Sequence, residues 1–89
     1  MELKLTSQFK KDLKRYKYET EKLQCLQTVL HHLKEQGTIP AYYRPHLLSG
    51  EYKNCMECHI QNDFLLIWMD QREEVIKLLR LGSHSELFK

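Results

Sequence analysis

The sequence has no long hydrophobic run and few residues that interrupt regular structure. No apolar stretch approaches the roughly 20 residues that a membrane-spanning helix needs, and the first 15 residues mix charged with apolar side chains instead of forming a signal-peptide core. We therefore expect a cytoplasmic protein that makes no membrane contact. With three glycines and two prolines in 89 residues, the composition is not that of a linker or a low-complexity segment. We expect a single domain, residues 1–89.

The chain also lacks the even number of cysteines that a disulfide framework requires. It has three, and in a reducing compartment they are expected to be free thiols. Cys55, Cys58 and His59 do have the spacing of a c-type haem attachment site. On a strand, however, residues three apart point to opposite faces, so the two thiols could not reach one porphyrin. A structural zinc site lacks its second ligand pair, since Cys25 is isolated in a predicted helix. The sequence predicts neither a cofactor nor a metal ion.

Positive charge is concentrated in the first half of the chain. Through residue 44 there are nine Lys or Arg residues against five Asp or Glu, and the remainder has five against seven. Five cations cluster in one predicted helix: Lys10, Lys11, Lys14, Arg15 and Lys17. Such a cluster is typical of a solvated helix face, and it is also typical of a surface that contacts a phosphate backbone. The sequence leaves both interpretations open.

The spacing of apolar residues predicts the element order β-α-α-β-β-β. A short first strand alternates apolar and polar residues, and two segments with apolar residues at helical spacing follow, the second stopped by Gly37. From residue 52 the period changes to two. Residues 64–69, FLLIWM, are a continuous apolar run, as expected of a strand covered on both faces. We expect an α+β fold, in which a helical hairpin packs on one face of a small antiparallel sheet and a turn or tail follows the last strand.

The polar face of the strand near residue 58 carries a candidate site. Glu57 and His59 are two residues apart and therefore share one face of the sheet. Three more polar residues lie in predicted loops or turns next to the sheet: His46, Asp63 and His84. Each of these histidines is equally well explained as a surface residue, but all five side chains could converge at one end of the sheet.

Four segments resemble the YafQ-like branch of the RelE superfamily, the toxins of bacterial toxin–antitoxin pairs. They are LTSQFKKDLKR, YRPHLLSGEYKN, ECHIQNDFLLIW and RLGSHSELF, and their order and spacing match over nearly the whole chain. The resemblance implies a RelE-like fold and a metal-independent endoribonuclease that cleaves messenger RNA in the ribosomal A site. It also implies a cognate antitoxin protein that holds the toxin inactive, with operator DNA contacted only through the toxin–antitoxin complex.

The resemblance further implies roles for individual residues. The catalytic set is His46, His59, Asp63 and His84, and the substrate-binding set is Glu57, Arg80 and Phe88. RNA supplies its own nucleophile, the 2′-hydroxyl, so the enzyme needs only a base, an acid and cations for the phosphorane charge. We expect the loop and C-terminal histidines to transfer protons, the strand histidine and the aspartate to orient their partners, and the arginine to contact phosphate.

The sequence departs from the family pattern at Leu47, Met56, Asn62 and Phe64, where the family usually has proline, arginine, proline and tryptophan. These replacements remove one cation and change the stacking surfaces. A different class of function is a catalytically weak RelE-fold binding module that acts within an antitoxin-bound DNA repressor complex. Such a module is expected to have lost the histidines, which this sequence retains.

Overall fold

The structure, a computed structural model, describes residues 1–88; Lys89, the last residue of the predicted domain, lies outside them. Five strands and three helices follow one another along the chain: β1 (Glu2–Leu5), α1 (Ser7–Arg15), α2 (Thr20–Gln36), β2 (His46–Leu47), β3 (Met56–Gln61), β4 (Phe64–Asp70), β5 (Val75–Gly82) and α3 (His84–Leu87). Two single-turn 3-10 helices, Ala41–Tyr43 and Gly50–Tyr52, precede β2 and β3. No helix within residues 1–88 is both long and apolar enough to cross a membrane.

The strands form one sheet in the order β1-β5-β4-β3-β2. The pairs β2–β3, β3–β4 and β4–β5 are antiparallel. The predicted α+β class is confirmed, with one difference in topology: β1 runs parallel to β5, with Glu2 opposite Val75. This direction was not predicted because β1 is joined to its partner by most of the chain and not by a tight turn, which alone would impose antiparallel pairing.

Two short elements were also not predicted. The two-residue strand β2 lies in the segment that we predicted to be a loop, and α3 occupies the predicted turn or tail. Ser83 and Glu86 form a capping box that starts α3, in which each side chain accepts from the other residue's backbone N–H. The box places His84 in the first position of the helix, directly after the end of β5.

A side-chain cap starts α1, and a left-handed glycine ends α2 as the sequence predicts. The Thr6 hydroxyl caps α1 by accepting from the Phe9 backbone N–H at 3.1 Å. Gly37 ends α2 in the left-handed conformation with φ of 71°, and its N–H donates to the Leu33 carbonyl at 2.9 Å. Both helices pack on one face of the sheet, which agrees with the predicted hairpin.

The central strand β4 contributes to hydrophobic cores on both faces, as its unbroken apolar run predicts. Phe64, Leu66 and Trp68 face α1 and α2, whereas the intervening Leu65 and Ile67 pack with residues around Leu87 on the other face. The same alternation places Cys58 in the first core and Cys55 in the second, and both are free thiols. The two thiols therefore lie on opposite faces, and the haem interpretation fails on geometry.

Candidate active site

Three imidazole rings form a row across one end of the sheet. His46 comes from β2, His59 from β3 and His84 from the start of α3. The ring centroids of His46 and His59 are 6.1 Å apart, and those of His59 and His84 are 5.9 Å apart. We call these three residues the histidine row. The structure thus brings together side chains that are as far apart in sequence as residues 46 and 84.

The first member of the row is held by a buried glutamate. His46 is directly opposite Glu57 in the β2–β3 pair, and its Nε2 lies 3.1 Å from Glu57 Oε1. Its Nδ1 lies 2.8 Å from the Arg44 carbonyl oxygen, which can only accept, so Nδ1 carries a hydrogen. Nε2 is therefore the ring nitrogen that faces the carboxyl group of Glu57.

The burial of Glu57 makes its contact with His46 energetically important. Its side chain is buried, and its Oε2 has no hydrogen-bond partner among the residues that the structure describes. A buried carboxyl group with few partners is costly, so the His46 imidazole, 3.1 Å away, offsets part of that cost. The sequence placed Glu57 on the same polar face as His59, and the structure adds His46 to it through β2.

The third member of the row is held by an aspartate in the β3–β4 turn. Asp63 Oδ1 accepts from the backbone N–H of His84 and from its ring Nδ1, both at 2.9 Å. The backbone hydrogen bond and the ring hydrogen bond from His84 lower the pKa of Asp63, because both favour the charged carboxylate. With Nδ1 donating to Asp63, the neutral imidazole of His84 has its lone pair on Nε2. Both side chains are exposed, so this nitrogen is accessible to a substrate.

An aromatic pair borders the row on the side of α3. The Phe88 ring lies 6.1 Å from the His84 ring and packs edge-on against Tyr52 at 5.7 Å. Phe88 is among the exposed large hydrophobic residues. The predicted substrate-binding residue Phe88 is therefore next to the histidine row and presents an apolar ring to solvent. Tyr52 was not predicted to take part.

Arg80 lies outside the histidine row. Its Nε and Nη2 donate to the two carboxylate oxygens of Asp12 at 2.8 and 3.3 Å, and its Nη1 donates to the Tyr52 hydroxyl at 3.1 Å. The hydrogen bond to Asp12 raises the pKa of Arg80. From the sequence we predicted that Arg80 contacts phosphate, and we did not predict its ion pair with Asp12. A signal was present, because Asp12 is the single acidic residue of the basic α1 and is three residues after Phe9, on the buried face of the helix. The phosphate contact remains a prediction.

Three of these side chains have donor atoms close enough to hold a metal ion. One ligand atom from each of His46, Glu57 and His59 lies within 4.8 Å of the others. Two imidazoles and a carboxylate are a ligand set that suits a transition metal. A metal ion bound to these atoms would replace the direct contact between His46 and Glu57.

The fold is that of small bacterial toxins whose structures have been solved. The crystal structure of a metal-bound toxin from Helicobacter pylori matches with a TM-score of 0.84 at 35% identity, over 99% of each chain. A chain of the crystal structure of the Escherichia coli DinJ–YafQ complex matches with a TM-score of 0.74 at 27% identity, over 99% of this chain and 98% of that one.

Sequence comparison identifies the family. The family model described as bacterial toxin of type II toxin–antitoxin system, YafQ, matches residues 1–89. The mRNA interferase toxin YafQ of Escherichia coli K12 is 30% identical over 91 residues, which span 98% of this chain and 95% of that protein. The chain therefore belongs to the YafQ family of bacterial toxins of type II toxin–antitoxin systems. The resemblance seen in the four sequence segments is confirmed.

Proposed function

We propose that the protein is an endoribonuclease, an mRNA interferase that cleaves messenger RNA in the ribosomal A site and uses the RNA 2′-hydroxyl as nucleophile. The observation that carries the proposal is the histidine row, in which the two outer imidazoles are each paired with a carboxylate. Metal-independent cleavage of RNA needs one group that takes a proton and one that gives a proton, and two histidines on one edge can supply both. The name of the full-length Escherichia coli relative supports the same activity.

The hydrogen-bond geometry supports a division of roles between the outer histidines. His84 is the general base: Asp63 holds its Nδ1–H, and Nε2 takes the proton from the 2′-hydroxyl. The 2′-oxygen attacks phosphorus, the bond from phosphorus to the 5′-oxygen breaks, and His46 gives its proton to that leaving oxygen. The products are a 2′,3′-cyclic phosphate and a 5′-hydroxyl end. The proton that His46 gives comes from Nε2, the nitrogen that Glu57 contacts, since Nδ1 donates to the Arg44 carbonyl.

The remaining predicted residues act on binding. His59 lies between the outer histidines and orients the phosphate or a neighbouring imidazole. Phe88 stacks on a base, because its exposed ring is beside His84. A guanidinium has five N–H groups, and Asp12 and Tyr52 do not use all of those of Arg80. The remaining N–H groups of Arg80 contact phosphate.

The partners follow from the family and from the charge distribution. The toxin is bound and held inactive by a cognate antitoxin protein, as the Escherichia coli DinJ–YafQ complex illustrates for a relative. Operator DNA is contacted through that complex and not by the toxin alone. Toxin and ribosome-bound messenger RNA meet in the cytoplasm. The excess of positive charge through residue 44 suits both an acidic antitoxin segment and the RNA backbone.

Replacement of His84 tests the proposal. We expect His84→Ala to reduce the single-turnover cleavage rate on programmed ribosomes by roughly 10²–10⁴-fold, the usual contribution of a positioned proton-transfer group. Stability and antitoxin binding should change little, because the side chain is exposed. The matched control is His31→Ala, an exposed histidine on α2, which should cleave like the parent protein.

Two outcomes would contradict the proposal. A folded His84→Ala variant with full activity would remove this residue from the mechanism. A parent protein that neither cleaves RNA nor arrests growth of a bacterial host, despite confirmed soluble expression, would instead support the catalytically weak binding module.

A further inference from the structure

A cavity of about 360 Å³ opens beside the histidine row. One wall is formed by residues 42–44, the end of the first 3-10 helix, and the other by residues 59–62, the end of β3 and the turn after it. His59 belongs to both the cavity and the row. A group bound in the cavity is therefore next to a group bound at the proton-transfer site. Two neighbouring nucleotides of one RNA strand can occupy these two places.

The first wall presents an aromatic platform. Tyr42 is 74% exposed, although exposing such a ring to water gives no stability to the fold. It packs against a buried residue, since the centroid of its ring lies 4.2 Å from that of Tyr43, which is only 9% exposed. Exposed aromatic rings are the surfaces on which single-stranded RNA stacks its bases.

The second wall presents neutral hydrogen-bonding groups. The Gln61 side-chain amide donates to Glu21 Oε1 at 3.2 Å, which orients the side chain and leaves its carbonyl oxygen as an acceptor. Asn62 adds a second, exposed amide. Arg44 supplies a cation, and none of the side chains that the structure places around the cavity is acidic. An aromatic face, two amides and one guanidinium match a nucleobase linked to a phosphate.

The cavity is connected to the proposed acid through the backbone of Arg44. This residue adopts the left-handed conformation with φ of 55° and ψ of 51°, a strained backbone for a side chain that is not glycine. In this conformation its carbonyl oxygen lies 2.8 Å from His46 Nδ1. A ligand held against Arg44 thus has a defined position relative to the histidine that protonates the leaving oxygen.

We propose that this cavity is a base-recognition subsite, which holds the nucleobase next to the cleaved phosphate. The base stacks on Tyr42 and is distinguished by the amides of Gln61 and Asn62. This inference rests on the proposed ribonuclease function and adds to it the residues that set base preference.

Direct binding tests the subsite without relying on cleavage. The His84→Ala variant is titrated onto ribosomes whose messenger RNA carries the fluorescent base 2-aminopurine at successive A-site positions. At one position, stacking on Tyr42 should quench the fluorescence. Adding Tyr42→Ala should remove the quenching and weaken binding about 5- to 150-fold, the range that corresponds to stacking one base. Tyr42→Phe should restore both, because it keeps the ring.

A matched control separates this effect from the loss of any exposed aromatic residue. Tyr18 is 85% exposed and does not line the cavity, so Tyr18→Ala should leave quenching unchanged. In the active protein, Gln61→Ala should change which bases flank the cleavage sites while the His84-dependent reaction persists.

Quenching that does not depend on Tyr42, together with unaltered cleavage sites in Gln61→Ala, would overturn the subsite while leaving the ribonuclease proposal intact. The same holds if Tyr42→Ala weakens only antitoxin binding, since the tyrosine would then contact protein and not RNA. A parent protein without cleavage would refute the ribonuclease proposal, and the quenching experiment would still decide whether a base binds here.

Discussion

The buried carboxylate of Asp12 is predicted to be one of the largest single contributors to stability. It is fully buried and accepts from Arg80 Nε at 2.8 Å, from Arg80 Nη2 at 3.3 Å, from the Leu81 backbone N–H at 3.0 Å and from the Gln8 amide at 3.2 Å. The hydrogen bonds from Arg80 and Leu81 join α1 to β5. The prediction concerns Asp12→Ala, which removes all of them together.

The expected loss follows from the groups that remain. The Arg80 side chain, 20% exposed, is left without its anion, and breaking a buried ion pair from one side costs about 3–5 kcal/mol. The Leu81 N–H is left unpaired in a buried place, which adds about 1–3 kcal/mol. Water that reaches the partly exposed guanidinium offsets some of this loss, so we expect Asp12→Ala to lower the free energy of unfolding by about 4 kcal/mol. The whole free energy of unfolding of a domain of this size is roughly 5–13 kcal/mol.

Urea denaturation measures this loss. Asp12→Ala should lower the free energy of unfolding by about 4 kcal/mol with an unchanged m-value, and Asp12→Asn, which keeps one acceptor oxygen, by about half as much. Lys11→Ala, exposed on the same helix, is the control and should stay within about 0.5 kcal/mol of the parent. A loss below about 1 kcal/mol for both Asp12 variants would refute the reasoning, since it would mean that Arg80 does not need its anion.

Two further predictions concern protons and metal ions. Burial raises the pKa of Glu86, but hydrogen bonds from Tyr16, Ser83 and Arg15 outweigh it and lower the pKa to about 2. The charged Glu86 carboxylate therefore stabilises the fold fully above the ordinary pKa of 4.5, and this stabilisation is lost as the pH falls towards 2. Between pH 5 and 3, the free energy of unfolding should drop less in Glu86→Gln than in the parent protein. Equal drops in the two proteins would contradict this prediction. Because the proposed reaction needs no metal, toxin that is treated with EDTA and dialysed before the ribosome assay should cleave like untreated toxin. Added Zn²⁺ should inhibit it by occupying His46, Glu57 and His59. Calorimetry that detects no Zn²⁺ binding, or equal binding by His59→Ala, would contradict that site.

The sequence predicted the elements whose signal is local. Helical spacing and Gly37 predicted the end of α2, and the apolar run at residues 64–69 predicted the central strand. It also contained a signal that was overlooked: Ser83 and Glu86 are three residues apart, the spacing of a capping box, so α3 was predictable.

Features that depend on distant residues were not predictable from one sequence. The two-residue β2 is too short to have a period and exists because His46 pairs with Glu57. The spacing of Asp12 from Phe9 places it on the buried face of α1, but only the approach of β5 makes it the partner of Arg80. For the same reason, the sequence did not predict that His46 contacts the Arg44 carbonyl or that His84 contacts Asp63.

The parallel pairing of β1 with β5 has a consequence for how the protein is made. Glu2, near the start of the chain, is opposite Val75. During synthesis β1 must therefore wait until β5 has been made, and long-range pairing of this kind is slow to form. His84 follows β5, so the histidine row is completed only after the same strand. A nascent chain that ends before β5 therefore has neither the paired first strand nor the complete histidine row.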